Sequence, residues 1–306
     1  MRLLLTALIL AACGSPPRPE PATVPPAAHA AAGGVADTVR ADWGGAFERR
    51  GLTGTFVLYE PGAGRNPPGR NPPGRNPPGR NPPGRTSRYN PDRAAERFVP
   101  ASTFKLYNAL VTLETGVVGD PDSTFVWDGV ERSVPAWNRD QSLRDGMRNS
   151  TVWLYQRVAR RVGAGRYRAA FAREPYGNGL VGDSVETFWL LGPLAVSADE
   201  EVAFVDGLRR GALAFSPETQ AAVRDLAPVL VDTAGVRLRA KTGLALRAGR
   251  PDLGWLIGWV ERPDGDVVFA LNAEATGPGA ADLVPARLAV AREILEGEGL
   301  LPRPAR

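Results

Sequence analysis

The strand-like segments of this 306-residue chain stand far apart, and their spacing decides which architecture is available. The segment GTFVLYE at residues 54–60 is rich in β-branched and aromatic residues, and three similar segments follow only near the C-terminus. Apolar residues with helical spacing fill the sequence between them. Strands at both ends with helices between them predict one mixed α/β sheet, covered by terminal helices and extended by a helical lobe. The late strands are predicted at residues 236–243, 253–261 and 267–275, and the helices at 102–114, 150–162, 197–211, 217–230 and 284–295.

The N-terminal sequence MRLLLTALILAACGS is typical of an export signal. Arg2 precedes an apolar run that is too short to span a bilayer as a helix. The run ends in LAAC, which is similar to a bacterial lipobox, and Cys13 is the only cysteine in the chain. We expect a lipoprotein signal peptide at residues 1–12 and a lipidated Cys13 that holds the mature protein on the periplasmic side of an inner or outer membrane. The alternative is a plain signal peptide that contains a cysteine.

Two segments of biased composition flank the first strand. Residues 13–36 are rich in Pro, Ala and Gly, which is typical of a flexible tether. The pentapeptide RNPPG then occurs four times in register from Arg65 and is followed by Arg85. A period of five excludes a collagen helix, and the unit is too short and too rich in proline to form a solenoid core. We therefore interpret residues 65–85 as a surface insertion in one domain that spans residues 37–306.

The composition argues against several classes of site. With a single cysteine, no disulfide can form within the chain, and the only histidine, His29, lies in the predicted tether. These counts disfavour a zinc site built from His and Cys, and also a Ser-His-Asp triad. The net charge of +4 is modest and the arginines are scattered among acids, which disfavours nucleic-acid binding. Hydrolytic chemistry in this chain therefore needs a base other than histidine.

Only two of the 37 basic residues are lysines, Lys105 and Lys241. A solvated surface cation can be either Lys or Arg, whereas a group that must lose its proton cannot be Arg. Lys105 follows Ser102 with the spacing S-x-x-K at the start of a predicted helix, where residues three apart share one face. A desolvated lysine at this position can serve as the base that a nucleophilic serine needs. The alternative is a helix-capping serine followed by a solvated lysine.

Three tripeptides support the first interpretation because they occur together and in order. STV at residues 150–152 begins a predicted helix, YGN at residues 176–178 resembles a turn, and KTG at residues 241–243 lies late in a predicted strand. The glycine of KTG would let a substrate approach the backbone closely. Each tripeptide alone is also compatible with a helix cap, a turn or a strand end. Together with S-x-x-K they include both lysines of the chain.

The combined motifs resemble those of the serine β-lactamases and penicillin-binding proteins, and most closely the class D (oxacillinase-type) β-lactamases. The similarity includes the longer blocks RNSTVWLYQRVARRVG, FWLLGP and GWLIGWVE, and covers roughly residues 38–302. SDN, which is typical of class A, is absent, and STV matches the S-x-V of class D. The resemblance implies a β-lactamase/transpeptidase-like fold with an antiparallel sheet, and hydrolysis of β-lactam antibiotics that confers resistance.

The same resemblance implies a role for each matching residue. Ser102 would be the acylated nucleophile, Lys105 would be carboxylated to N6-carboxylysine and act as the general base, and Ser150 would relay a proton to the lactam nitrogen. Carbon dioxide or bicarbonate would be required for this modification, and no metal. The amides of Ser102 and Leu244 would form the oxyanion hole. The substrate-binding set would be Lys241, Thr242, Gly243, Leu244 and Arg287, and the carbamate pocket would contain Val152, Trp189 and Leu190.

Two related functions would use the same serine and lysine. A penicillin-binding cell-wall peptidase would deacylate slowly, and a β-lactam sensor domain would be acylated once and signal. We expect membrane spans and a cytoplasmic partner domain in a sensor, and this sequence has neither. Cell-wall peptidases lack the combination of YGN and FWL. We therefore favour the hydrolase, and leave open its oligomeric state and which β-lactams, carbapenems included, it hydrolyses.

The RNPPG repeats are predicted to be dispensable. A Pro-rich loop with almost no apolar side chains has little surface to bury, and shortening a long loop changes its closure entropy only slightly. Deleting the segment Arg70 to Gly84 should leave the melting temperature and the turnover number nearly unchanged, as measured by thermal unfolding and hydrolysis of a chromogenic cephalosporin. A marked loss of either would mean that the insertion packs against the core or the site.

Overall fold

The computed structural model describes residues 36–62, 84–233, 235–277 and 279–303. The predicted signal peptide, Cys13, the tether as far as residue 35 and the repeats as far as residue 83 lie outside these ranges. None of the described helices is long and apolar enough to cross a membrane.

The described strands are β1 (Ala36–Val39), β2 (Leu52–Glu60), β3 (Arg85–Tyr89), β4 (Val229–Thr233), β5 (Val236–Ala245), β6 (Leu253–Glu261) and β7 (Val267–Ala275). The described α-helices are α1 (Gly44–Glu48), α2 (Pro91–Ala95), α3 (Lys105–Glu114), α4 (Leu143–Arg148), α5 (Val152–Val162), α6 (Ala164–Arg173), α7 (Ala198–Arg210), α8 (Pro217–Leu226) and α9 (Leu283–Gly297).

The strands form a seven-stranded sheet in the order β1-β3-β2-β7-β6-β5-β4. Neighbouring strands run antiparallel from β3 across to β4, and the edge pair β1–β3 is parallel. The pairing of β2 with β7 joins the N-terminal strand to the C-terminal ones, with Phe56 opposite Leu271. The predicted mixed sheet, with strands drawn from both ends of the chain, is therefore confirmed.

Strand β6 lies near the middle of the sheet and is buried on both faces, which explains its nearly continuous apolar sequence LGWLIGWVE. Trp255 and Ile257 belong to the core that the sheet shares with the helical lobe. Leu256 and Val260 belong to the second core, which lies under α1 and α9. Because alternate side chains of a strand point to opposite faces, one strand contributes to both cores.

The helix predicted at residues 217–230 is wrong over its last four residues. Helix α8 ends at Leu226, and residues 229–233 form the edge strand β4 instead. Ala227 precedes Pro228 and is extended, with φ −63° and ψ 122°. The proline ring disfavours the α conformation for the residue before it, so the helix stops there. The predicted bounds of α5, α7, α9, β5, β6 and β7 agree with the observed bounds to within two residues at each end.

Several boundaries near the site differ from the prediction. The helix predicted from Ser102 begins as a 3-10 turn over Ala101–Phe104 and becomes α-helical only at Lys105. Strand β1 begins one residue before the predicted domain boundary at residue 37, and Arg85, the last residue of the predicted insertion, begins β3. The short elements β1, β3, β4, α2 and α4 were not predicted, and neither was the ten-residue helix α6.

Gly84 lies against the ring of Tyr59, where an added Cβ would come within 2.6 Å of the ring. Any other residue at this position would have to displace the Tyr59 ring. Deleting the segment Arg70 to Gly84 brings Gly69 next to Arg85 in the sequence, so the deletion variant retains a glycine there.

Candidate active site

Ser102 lies in a tight turn at the start of α3, here called the serine turn (residues 100–105). The turn brings Lys105 Nζ within 2.8 Å of Ser102 Oγ, so these two predicted site residues do lie together. Ala101 has a φ of 51°, a left-handed conformation that residues other than glycine adopt at an energetic cost. Its amide donates to the carbonyl of Trp189 at 2.8 Å, and this contact helps to hold the conformation.

Lys105 is completely buried, and among the described residues its amine has one hydrogen-bond partner, Ser102. The ring centroid of Tyr155 lies 5.1 Å from Nζ. Burial disfavours the charged form and lowers the pKa of Lys105 to about 7 from its ordinary value of 10.5. A large share of the amine is therefore neutral near pH 7, and a neutral amine can act as a base or a nucleophile.

Trp189 is fully buried and stacks on Phe104 of the serine turn, with ring centroids 5.6 Å apart. Its indole Nε1–H has no hydrogen-bond partner in the part of the chain that the structure describes. Leu190 is half-buried and packs against the same core, and Val152 is half-buried at the first position of α5. An unsatisfied N–H in a protein core is costly, so this indole is suited to an acceptor that enters this part of the core.

Ser150 and Lys241 form the second pair of the site. Lys241 Nζ donates to Ser150 Oγ at 2.9 Å, which joins the loop before α5 to strand β5. Ser150 has a φ of 56°, and the next residue, Thr151, fixes the loop with a 2.6 Å hydrogen bond to a buried glutamine side chain. Lys241 is also buried. Its burial, followed by the charges of Lys105 and Arg287, lowers its pKa well below 10.5.

Arg287 of α9 donates from Nη1 to the carbonyl of Gly243 in strand β5. Its burial lowers its pKa to about 10, with a partial offset from Asp282, and its Nε has no partner among the described residues. Thr242 is half-buried, and its carbonyl accepts from Lys241 Nζ at 2.8 Å. Buried cations that repel each other are suited to bind an anionic group. Leu244, the residue after Gly243, is half-buried and pairs with Gly254 of β6.

Gly243 allows strand β5 to pack directly against the serine turn. A Cβ at this position would lie 2.9 Å from the carbonyl oxygen of Pro100, 3.1 Å from Trp255 Cβ and 3.2 Å from Thr103 Cγ2. This glycine was predicted to admit a substrate, but the direction of its missing side chain is filled by the protein itself. The glycine of KTG therefore determines how close β5 lies to Ser102.

The YGN segment joins separate parts of the helical lobe. Tyr176 is buried and donates to a carboxyl oxygen of Glu201 at 2.8 Å. Gly177 has a φ of 53°, and a Cβ there would collide with the carbonyl of Ala195. The Asn178 side chain accepts from the amide of Ala195 at 3.1 Å. These contacts tie the turn to the segment that follows Trp189, and the ring of Tyr176 lies 5.7 Å from that of Phe104 in the serine turn.

Known proteins with similar sequences and structures identify the family. Residues 54–296 match the family described as the penicillin binding protein transpeptidase domain. The chain is 41% identical over 217 residues to β-lactamase OXA-20 of Pseudomonas aeruginosa, which covers 71% of this chain and 79% of that protein. It is 42% identical over 218 residues to β-lactamase OXA-2 of Salmonella typhimurium, with 71% and 76% covered. The crystal structure of the class D β-lactamase YbXI from Nostoc matches with a TM-score of 0.72 at 32% identity, and covers 86% of this chain and 100% of that one. The chain belongs to the class D β-lactamases.

This membership confirms the predicted family, the predicted fold and an enzyme that hydrolyses β-lactams. Among the described residues, no group of three or more His, Cys, Asp or Glu side chains could hold a metal ion. In the described part of this class D β-lactamase, two serine–lysine pairs lie within hydrogen-bond distance, Ser102 with Lys105 and Ser150 with Lys241.

Three residues near the site were not predicted: Tyr155, Thr103 and Glu201. Tyr155 is three positions after Val152 in α5, so helical spacing from STV was a usable signal for it. Thr103 Oγ1 lies 2.6 Å from Glu201 Oε1, although 98 positions separate the two residues. No local sequence pattern reveals such a contact, and acidic residues in the first turn of a helix are usually explained by the helix dipole.

Replacing Gly243 by alanine should reduce both stability and activity. The new methyl group must displace the serine turn or Trp255, at a cost of about 1–3 kcal/mol. We expect a lower melting temperature and a lower kcat with a chromogenic cephalosporin. Gly165→Ala is the matched control, because a Cβ on this glycine of α6 meets open space and should be neutral or stabilising. Wild-type melting temperature and turnover in Gly243→Ala would contradict this account.

Proposed function

We propose that this enzyme hydrolyses β-lactam antibiotics through an acyl-enzyme on Ser102, with carboxylated Lys105 as the general base, and that it thereby confers β-lactam resistance. The observation that carries the proposal is the burial of Lys105 at 2.8 Å from Ser102 Oγ. Burial alone lowers the pKa of this amine to about 7, so the neutral form that reacts with carbon dioxide is available at physiological pH.

The surroundings of Lys105 fit a carbamate. Carboxylation replaces a cation by an anion whose oxygens need hydrogen-bond donors in the core. The indole N–H of Trp189 is buried without a described partner, and Ser102 Oγ lies within hydrogen-bond distance of the amine. When present, the carboxyl group on Lys105 supplies an anionic base beside Ser102 without any histidine.

The acylation step uses the serine turn and the Ser150–Lys241 pair. Ser102 Oγ gives its proton to the general base at Lys105 and attacks the lactam carbonyl carbon, and the C–N bond of the ring breaks to leave an ester on Ser102. The amides of Ser102 and Leu244 stabilise the negative charge that develops on the carbonyl oxygen. Ser150, held by Lys241 at 2.9 Å, delivers a proton to the departing nitrogen. In the second step the hydroxyl of a water molecule adds to the acyl carbon, the bond from this carbon to Ser102 Oγ breaks, and the remaining proton of the water restores the Ser102 hydroxyl.

The carboxylate of the substrate is proposed to bind Lys241, Thr242 and Arg287. Burial and mutual repulsion lower the pKa of Lys241 in the free enzyme. An incoming anion favours the charged form of Lys241 and offsets the repulsion from Arg287. Charge neutralisation within this pocket is therefore the physical basis for selecting anionic β-lactams. Leu244, the residue after Gly243, is half-buried and packs against the core under α1 and α9.

Substitution of the two lysines tests this mechanism. Lys105→Arg keeps a cation but cannot lose a proton or react with carbon dioxide, so hydrolysis of a chromogenic cephalosporin should fall by about a thousandfold. Lys241→Arg is the matched control: it keeps the charge at the proposed carboxylate site and should chiefly raise KM. Lys105→Ala should accumulate an acyl-enzyme in the intact-protein mass spectrum, and Ser102→Ala should not.

The pH dependence of the wild type should follow from the same lysine. As the pH falls through about 7, the Lys105 amine becomes protonated, carbon dioxide is lost and turnover should decrease. Added bicarbonate should restore turnover, and ¹³C-labelled bicarbonate should give a carbamate signal in the NMR spectrum of the wild type only. Full turnover without that signal would contradict the role of Lys105. Slow deacylation in the wild type would instead support a cell-wall peptidase or a sensor.

For localisation we propose a periplasmic lipoprotein, on the strength of the lipobox-like LAAC and the Pro- and Ala-rich sequence that follows it. Cys13→Ser removes the thiol that would be lipidated, so it should release soluble protein or block processing. Membrane fractionation measures this, with Ser15→Ala as the matched control. If Cys13→Ser fractionates as the wild type does, the protein is not held by a lipid on this residue.

A further inference from the structure

Glu201, in the first turn of α7, is a completely buried carboxyl group close to the serine turn. Its Oε1 lies 2.6 Å from Thr103 Oγ1 and 2.8 Å from the hydroxyl of Tyr176. Its Oε2 is buried and has no hydrogen-bond partner among the described residues. Thr103 is the immediate neighbour of Ser102, so this carboxyl group acts on the turn that carries the proposed nucleophile.

The contacts around Glu201 need three protons. Tyr176 and Thr103 each supply one, because a hydroxyl group has a single hydrogen. The three contacts are Tyr176 with Glu201, Thr103 with Glu201, and Thr103 with the carbonyl of Pro100 at 2.9 Å. An ionised Glu201 would leave one of these oxygen pairs without a hydrogen between them. A neutral carboxylic acid supplies it: Glu201 donates to Thr103, Thr103 donates to Pro100, and Tyr176 donates to Glu201.

No described cation forms an ion pair with Glu201, and burial raises the pKa of its carboxyl to about 7. The hydrogen-bond contacts with Thr103 and Tyr176 oppose this rise in pKa, and the nearby charge of Glu200 adds to it. The ring of Tyr107 contacts that of Tyr176, but the hydroxyl of Tyr107 has its own acceptor, the carbonyl of Glu174. The basic groups on the neighbouring elements have other partners: Lys105 contacts Ser102, Arg93 pairs with Glu274, Arg97 with Glu200 and Arg209 with Asp206, and Arg224 donates to the carbonyl of Leu208.

We propose that Glu201 is a neutral carboxylic acid in the active enzyme and that its proton holds the serine turn in place, which makes Glu201 a positioning residue for Ser102. Glu201 acts through Thr103 and does not contact the substrate. The catalytic consequence rests on the proposed function, because Ser102 must be the nucleophile for its position to matter. The protonation state of Glu201 does not depend on that function.

Ionisation of Glu201 removes the third proton. The Thr103 hydroxyl then donates to the carboxylate, and the carbonyl of Pro100 keeps only the longer hydrogen bond from the Thr103 amide, at 3.3 Å. Ala101, which lies between Pro100 and Ser102, has the left-handed φ of 51° that needs support from its surroundings. Loss of the Pro100 contact therefore loosens the turn that places Ser102 beside Lys105.

Infrared spectroscopy tests the protonation state directly. Near pH 6 the difference spectrum between wild type and Glu201→Gln should contain the C=O band of a neutral carboxylic acid, and this band should vanish as the pH rises towards 9. Thr103→Val removes one partner of the carboxyl group and should shift the band. Glu200→Gln removes the adjacent, partly exposed carboxyl and should leave the band in place. Absence of the acid band at pH 6 in the folded wild type overturns the proposal.

Stability and activity test the consequence. The pKa of Glu201 is higher in the folded protein than in the unfolded chain. At a pH between these two values the folded protein keeps the proton on Glu201 and the unfolded chain releases it, so the stability of the fold falls as the pH rises through this range. Between about pH 5 and pH 8 the unfolding equilibrium constant of the wild type should rise about a hundredfold relative to that of Glu201→Gln. The side-chain amide introduced by Glu201→Gln also donates a hydrogen to Thr103, so this variant should retain turnover.

Above neutral pH the kcat of the wild type should fall relative to that of Glu201→Gln by up to about a hundredfold, the loss expected for a slightly misplaced reacting group. Parallel pH profiles of kcat and of stability in the two proteins would overturn the proposal. Hydrolysis by Ser102→Ala would overturn the proposed function but leave the infrared and stability results unaffected, so the two proposals fail separately.

Discussion

The site depends on the enclosure of one lysine amine beside one serine in an apolar core. A pKa of about 7 in place of 10.5 means that the charged form of Lys105 is disfavoured by roughly 5 kcal/mol relative to water. That amount is comparable to the whole folding stability of many domains, so the fold tolerates this residue best in a neutral or modified form. Other parts of the site respond to this residue: Trp189 stacks on Phe104 beside it, and the charge of Lys105 lowers the pKa of Lys241 in β5.

The position of that lysine is maintained by contacts between elements that are distant in sequence. The left-handed Ala101 is supported by the carbonyl of Trp189, and Gly243 lets strand β5 approach the serine turn within van der Waals contact. The buried carboxyl of Glu201 supports the same turn from the side of α7 through Thr103. Three separate elements therefore determine the geometry of a turn only six residues long.

The described elements of nine or more residues were predicted, with the exception of the ten-residue helix α6. Strands β6 and β7 were predicted at their observed bounds because each is a mostly apolar segment with β-branched and aromatic residues, and the turn-rich link RPDGD separates them. Strands β1 and β4 are only four and five residues long, lie at the sheet edges, and become strands by pairing with β3 and β5. The overextended α8 shows the same limit, since the helical spacing continued past the residue that Pro228 makes extended.

The sequence by itself determined the family, the order of the main strands and helices, and the pairing of Ser102 with Lys105. A three-residue spacing at the start of a helix is a local geometry, and local geometry is encoded by neighbouring residues. Only the tertiary structure decided that the amine of Lys105 is fully desolvated, that the indole N–H of Trp189 lacks a described partner and that Glu201 contacts Thr103. Burial and hydrogen bonding depend on which distant segments close over a group, and desolvation by those segments, rather than the identity of the residue, shifts the pKa of Lys105.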